Sequence, residues 1–217
     1  MTQRVAVIDY GMGNLHSVAS ALEHVGATEV IVGHDHDAIR AADRVIFPGV
    51  GGIRDCMSAI RDLGCDQLLD QALRIDKKPV LAICVGMQAL MTRSKENGGV
   101  DCLDTIPGQV VFFGEHHKDA SNERLKVPHM GWNKVAPAKP HPLWQGIETD
   151  ARFYFVHSYH VVPDDPDVIA AHFEYGLTGC AAIARDNLFA TQFHPEKSHQ
   201  SGLQLLKNFL TWDGTCL

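Results

Sequence analysis

Long apolar runs are missing from this 217-residue sequence. Its start carries nothing longer than Val5 to Ile8, far short of a signal peptide's core or a membrane span, and the chain reads as cytoplasmic. Basic clusters are equally scarce. The longest is Lys77-Lys78 in a chain of formal charge −7, which excludes a nucleic-acid groove or an anionic membrane surface as the main partner and favours a small ligand. The six cysteines (Cys56, Cys65, Cys84, Cys102, Cys180 and Cys216) include no C-x-x-C pair, and without an export signal they read as reduced thiols. Five of them look like small core hydrophobes; Cys84 stands apart. There is no internal repeat, no low-complexity stretch and no linker-like shift in composition, so one domain over 1–217 is expected. With 45% hydrophobic and 21% charged residues, neither disorder nor a fibre fits.

What is present alternates. Arg4 to Asp9, Glu29 to Val32, Arg44 to Phe47 and Pro79 to Ile83 read as buried strands. Between them, Leu15, Val18, Ala19, Leu22 and Val25 hold helical spacing with Gly26 as a C-cap. Cys56, Met57, Ile60 and Leu63 do the same after Ile53. A short helix is expected after Asp37, and a second helix from Asp66 to Ile75 beyond the break at Gly64. This βαβ texture predicts a parallel sheet. From Gly108 the pattern changes to short β-like runs at Gln109 to Phe113, Trp132 to Val135, Arg152 to Val162, Val168 to Phe173, Cys180 to Arg185 and Leu188 to Phe193. That predicts an antiparallel extension of the same sheet. A last helix from Ser198 to Trp212 carries a Leu203, Leu206, Leu210 stripe, widened by Leu205 and Phe209.

The chemistry gathers at three strand ends. Ala82-Ile83-Cys84-Val85-Gly86-Met87-Gln88 reads as a strand ending in a cysteine that begins a helix, an elbow that exposes the side chain at its tip. A helix dipole there favours the thiolate and draws the thiol below its free pKa of about 8.5. The N–H of Val85 is left to bind an oxyanion. In Gln192-Phe193-His194-Pro195-Glu196-Lys197-Ser198 the proline holds His194 extended, so His194 and Glu196 point to one side. A carboxylate beside an imidazole fixes its tautomer and stabilises the imidazolium. Pro48-Gly49-Val50-Gly51-Gly52 lets the backbone approach a ligand N–H first; the P-loop's Lys-Ser/Thr is absent, so an oxyanion or carboxylate contact fits better than a phosphate. Taken singly, the three also read as a core cysteine, a loop with a surface ion pair and a tight turn. Together at the carboxyl edge of one α/β sheet they are the parts of acyl transfer.

Two polar stretches, His34-Asp35-His36-Asp37 and Glu115-His116-His117, lack zinc-site spacing and read as solvated loops, so no metal is expected. Gly11-Met12-Gly13-Asn14 is half a dinucleotide fingerprint without its third glycine. No cofactor is expected either.

These segments resemble the class I (triad-type) glutamine amidotransferases almost end to end. The likeness is carried by Asp9-Tyr10-Gly11-Met12-Gly13-Asn14-Leu15, Pro48-Gly49-Val50-Gly51, Ile83-Cys84-Val85-Gly86-Met87-Gln88, Pro128-His129-Met130-Gly131-Trp132-Asn133, Tyr154-Phe155-Val156-His157-Ser158-Tyr159 and Gln192 to Ser198. The fourth and fifth point to the branch in which the glutaminase is a separate subunit serving histidine biosynthesis. Two departures are visible: Ala82 stands where the family elbow usually has glycine, and Val85 where leucine is commoner.

The resemblance implies an α/β, flavodoxin-like open mixed sheet flanked by helices. It also implies hydrolysis of the glutamine side-chain amide, with Cys84 as nucleophile, His194 as base and then acid, and Glu196 orienting it. The oxyanion would meet N–H groups of Val85 and of Gly49, Val50 and Gly51. Gln88, Glu96 and the backbone at Ser158 and Tyr159 would surround the bound glutamine. The implied partner is a separate (β/α)8-barrel cyclase subunit forming a heterodimer, with Asn14, Met130, Trp132, Tyr154 and Lys197 at the interface. Three alternatives stay open: a paralogous amidotransferase subunit feeding another synthase, a γ-glutamyl hydrolase, and a catalytically inactive flavodoxin-like binding module.

Overall fold

A computed structural model describes residues 3–114, 118–119 and 121–216; the Glu115-His116-His117 stretch lies outside the described residues. The first half contains β1 (Arg4–Ile8), α1 (Leu15–His24), β2 (Glu29–Gly33), α2 (His36–Ala41), β3 (Arg44–Gly49), α3 (Ile53–Asp62), α4 (Cys65–Asp70) continuing as one π turn (Gln71–Ile75), β4 (Val80–Cys84) and α5 (Val85–Ala89). Then follow β5 (Arg93–Ser94), β6 (Val100–Asp101), β7 (Gly108–Phe112), β8 (His129–Lys134), β9 (Ala136–Pro137), β10 (Arg152–His157) and β11 (Tyr159–Pro163). The chain ends with β12 (Ile169–Glu174), β13 (Thr178–Arg185), β14 (Leu188–Thr191) and α6 (His199–Thr211).

The main sheet runs β2-β1-β3-β4-β14-β13-β12-β9. Strands β1 to β4 and β14 pair in parallel, and β13, β12 and β9 extend the sheet antiparallel, as the change in texture at Gly108 predicts. Parallel strands are covered on both faces, which is why β3, β4 and β14 are buried along their whole length rather than alternating. Helix α3 buries Ile53, Cys56, Met57 and Ile60, and α1 buries Val18, Ala21 and Leu22, each a stripe at three- and four-residue spacing.

Four expectations need correction. The stripe of α6 is Leu205, Leu206, Phe209 and Leu210, with Leu203 only partly buried at its edge. Cys216 is exposed, its thiol donating to the Asp186 carbonyl at 3.2 Å, because it lies in the short tail after α6 rather than in a packed element. The run from Arg152 to Val162 is two strands. It breaks at Ser158 because β10 pairs with β8 and β11 with β7, in two different small sheets. Finally, β14 ends at Thr191, leaving Gln192 and Phe193 beyond the strand.

The register decides what meets at the carboxyl edge. In the parallel ladders Gly49 stands opposite Cys84, and Thr191 opposite Ile83. The glycine loop, the cysteine and the histidine segment therefore leave three adjacent strands, β3, β4 and β14, side by side.

Candidate functional site

Cys84 ends β4 with φ 55° and ψ −109°, a left-handed conformation that a side chain rarely adopts. Close packing holds it there. A Cβ on Gly86 would collide with the Phe47 carbonyl oxygen, and one on Gly49 with the Tyr10 hydroxyl, so only glycines let α5 start against the end of β3. Ala82, two residues before the cysteine, is fully buried and paired in register with Phe47 and Ala190, so its methyl leaves the elbow intact.

The elbow does not expose its tip. Cys84 is 3% exposed and lines a cavity of about 350 Å³, together with Val50, Gly51, Val85, Gln88, Glu96, Pro128, Val156, His157, Ser158, Tyr159 and His194. Helix α5 is five residues long, so its dipole is that of little more than one turn. The stronger influence on the sulfur is His194. Its Nδ1 meets Glu196 Oε1 at 2.8 Å, with both side chains almost fully buried, and its Nε2 is buried without a hydrogen-bond partner. Burial works against the imidazolium, yet the nearby Cys84 sulfur and then Glu196 outweigh it and raise the His194 pKa to about 10. The sulfur acts on the ring both by charge and through a side-chain contact. The ring is held in place from behind: His194 N–H donates to Tyr154 O at 2.9 Å, and the Ser198 hydroxyl donates to His194 O at 2.6 Å.

The Pro48–Gly51 loop is fastened at two carbonyls. Tyr10 Oη donates to Pro48 O at 2.7 Å, and the Cys56 thiol donates to Val50 O at 3.4 Å. Burial pushes the Cys56 thiol up to about 11 and the Tyr10 phenol well above its usual range, so both stay protonated donors. A trans peptide directs its N–H opposite its C=O, so binding Val50 O from the Cys56 side turns the Gly51 N–H the other way. Gly51 allows this with φ 98°.

Glu96 is the one acid among the lining residues. It sits on a 3-10 turn that Arg54 anchors by donating to Asn97 O at 2.6 Å, and its Oε2 accepts from Ile53 N–H at 3.4 Å. Burial raises its pKa, with Asp55 adding to the effect and the Ile53 N–H opposing it. Gln88 is buried and donates from Nε2 to Tyr159 O at 3.0 Å and to Gln192 Oε1 at 3.2 Å; Gln192 Nε2 lies 3.8 Å from Cys84 Sγ.

All eleven residues read from the sequence as triad, oxyanion and substrate residues thus face one cavity or, for Gly49 and Glu196, stand directly behind it. Sequence reading missed Gln192, His157, Pro128 and Val156. Gln192 and His157 lie inside quoted motifs next to residues that drew attention first. The five proposed interface residues lie outside the cavity. Trp132 and Tyr154 are paired across β8 and β10, with Trp132 stacked flat on His199 at 4.8 Å. Met130 is 61% and Trp132 42% exposed, and Lys197 is exposed on the turn that follows His194. Asn14, half-buried before α1, sits where α1 packs on that turn. Among the described residues no cluster of three metal-ligating side chains occurs, and His34 and Asp35 are used locally: His34 Nδ1 meets Asp9 O, and Asp35 caps α2.

The family model described as glutamine amidotransferase class-I matches residues 6–212. Imidazole glycerol phosphate synthase subunit HisH 1 of Pseudomonas aeruginosa is 60% identical over 214 residues, covering 99% of both chains. The subunit HisH of Acinetobacter baylyi is 58% identical over 211 residues, covering 97% of this chain and 98% of that one. Among solved structures, PurLQS from Thermotoga maritima superposes with a TM-score of 0.70 at 17% identity, over 97% of this chain and 99% of that one. A glutamine amidotransferase from the same organism gives 0.58 at 15%, over 89% and 76%. At such identities the structures speak for the fold.

Proposed function

Since the chain belongs to the class I glutamine amidotransferases, we propose that its cavity hydrolyses glutamine through Cys84, His194 and Glu196, and that it is the glutaminase subunit of an imidazole glycerol phosphate synthase. One observation carries the residue assignment: β4, which ends in Cys84, and β14, which leads into His194, are neighbours in register, and both side chains line one cavity.

Glutamine enters with its ammonium toward Glu96 and its backbone groups against Ser158 and Tyr159. With its pKa near 10, His194 holds the proton that the sulfur gives up, and Glu196 holds the ring so that Nε2 faces the reaction. The thiolate attacks the carboxamide carbon. The oxyanion meets the N–H groups of Val85, which as first residue of α5 has no helical acceptor, and of the fastened loop at Gly49, Val50 and Gly51. As the tetrahedral carbon collapses, the C–N bond breaks, Nε2 gives its proton to the nitrogen and ammonia leaves a glutamyl thioester. Water, losing a proton to Nε2, then cleaves the C–S bond, releasing glutamate and restoring the ion pair.

Ammonia is mostly protonated near neutral pH and then is no nucleophile, which favours direct delivery to a second site. We assign that site to a separate (β/α)8-barrel cyclase subunit docked at Asn14, Met130, Trp132, Tyr154 and Lys197 in a cytoplasmic heterodimer. Among the described residues no helix is long and apolar enough to cross a membrane. The decisive experiment is glutamate release with and without the cyclase and its nucleotide ligand. Addition is expected to raise the rate strongly, and Cys84→Ala to abolish glutamine-dependent synthesis while ammonia-dependent synthesis persists. Unchanged release on adding the cyclase, or an active Cys84→Ala protein, overturns the assignment.

A further inference from the structure

Two buried histidines, His129 and His157, have no part in the chemistry above, yet both lie in the motifs that set this chain apart. They stand directly opposite each other on β8 and β10. His157 Nδ1 is 2.8 Å from Tyr159 O, His157 Nε2 is 3.0 Å from His129 Nδ1, and His129 Nε2 is 3.2 Å from Asn133 Nδ2. Asn133 Nδ2 also donates to Glu174 O at 2.8 Å, while its Oδ1 accepts from Lys134 N–H at 2.8 Å.

Only one proton arrangement satisfies these contacts. A carbonyl oxygen accepts and never donates, so Nδ1 of His157 carries its proton and Nε2, on a neutral ring, accepts. His129 must then donate from Nδ1 and accept at Nε2, which agrees with the amide nitrogen of Asn133 as donor. Every bond points the same way, from Asn133 through His129 and His157 to Tyr159 O. That oxygen takes its second hydrogen bond from Gln88 Nε2, which is tied through Gln192 to the region of the Cys84 sulfur. Burial, with the neighbouring histidines, lowers His157 to about 3, so the ring stays neutral as the pattern requires.

We infer that His157, supported by His129 and Asn133, is a positioning residue for the glutamine cavity: its Nδ1–H fixes the Tyr159 carbonyl and through it the backbone turn at 158–159 and the Gln88 side chain. This rests on the glutaminase reading of the same cavity. The relay explains why the β-run breaks where it does, since the His157-to-Tyr159 bond closes a tight turn between strands of different sheets.

The test compares three substitutions in the complex with the cyclase subunit, with Cys84→Ala alongside. Asparagine can place an amide N–H where Nδ1–H stands, glutamine places one nearer Nε2, and phenylalanine has none. His157→Phe and His157→Gln are expected to raise the glutamine KM about tenfold while kcat stays within about threefold, and His157→Asn to keep KM within about twofold of wild type. All three lower Tm, because each disturbs the buried pair, so Tm and KM part company in the asparagine variant. If His157→Phe does not fold, the comparison of asparagine with glutamine decides alone. Equal KM values for those two, or a wild-type KM in the phenylalanine variant, overturn the relay while leaving the glutaminase reading intact. Glutamate release that survives Cys84→Ala overturns that reading, and the relay's role with it.

Discussion

His194 carries the clearest pH signature at the level of single residues. Its folded pKa, raised to about 10 by the sulfur and Glu196, lies above the ordinary 6.5; the sulfur's effect is an exchange within the Cys84–His194 pair, whereas the Glu196 contact binds a proton that the unfolded chain releases. The stabilisation is therefore complete below about pH 6.5 and is lost as pH rises through about 10. Denaturant midpoints of wild type and His194→Asn, measured from pH 6 to 10.5, should differ most at the acid end and converge at the alkaline end. Glu196→Gln removes the charge yet keeps the shape, and glutamine kcat/KM should fall by on the order of 10²–10⁴ with KM little changed. Tyr10→Phe leaves Pro48 O without its donor; a cost of about 1–2 kcal/mol in urea unfolding and a kcat decrease larger than any KM change are expected, because in the proposed mechanism the loosened loop serves the oxyanion rather than the ground state. The convergence of Cys84, His194 and Glu196 was legible at this scale because proline and the strand-helix elbow constrain the backbone locally. The fastening by Tyr10 and Cys56 was not, since hydroxyl and thiol meet loop carbonyls only through tertiary packing.

Elements succeed or fail here on close approach. Helix α6 reaches the turn that follows His194 at Gly202, where a Cβ would collide with the Pro195 carbonyl oxygen. Gly202→Ala would normally favour a helix by about 1 kcal/mol, but here it must push α6 away from the turn. Net destabilisation of roughly 1–3 kcal/mol is expected in thermal or chemical unfolding, with activity lost in parallel. Unchanged stability would show that the contact relaxes freely. Elsewhere a long side chain closes an element: Lys78 Nζ donates to the carbonyls of Ile39, Arg40 and Ala42 at the end of α2. Most helices followed from periodicity, and the central strands from short continuous apolar runs. The short β5, β6 and β9 and the turn carrying Glu96 did not, because two- and three-residue pieces have no period and exist through partners such as Arg54 and Arg61 on α3.

For the molecule as a whole, strand β10 links surface and site. It pairs with β8, whose Met130 and Trp132 face outward, carries His157, and receives the His194 backbone through Tyr154. Lys197→Glu, on the same turn as His194, is expected to weaken binding of the cyclase at least tenfold by titration calorimetry while leaving the fold intact by circular dichroism; unaltered affinity would remove Lys197 from the contact. Parallel strands and the antiparallel extension were readable from composition along the chain, but the order of the sheet was not, and that order makes the site. β14, the last of the described strands in chain order, lies between β4 and β13. A ribosome-bound or proteolysed fragment that stops before residue 188 therefore has Cys84 without the segment bearing His194 or the strand that aligns the two. On the proposed triad, such fragments are expected to hydrolyse no glutamine, however well their remaining strands pair.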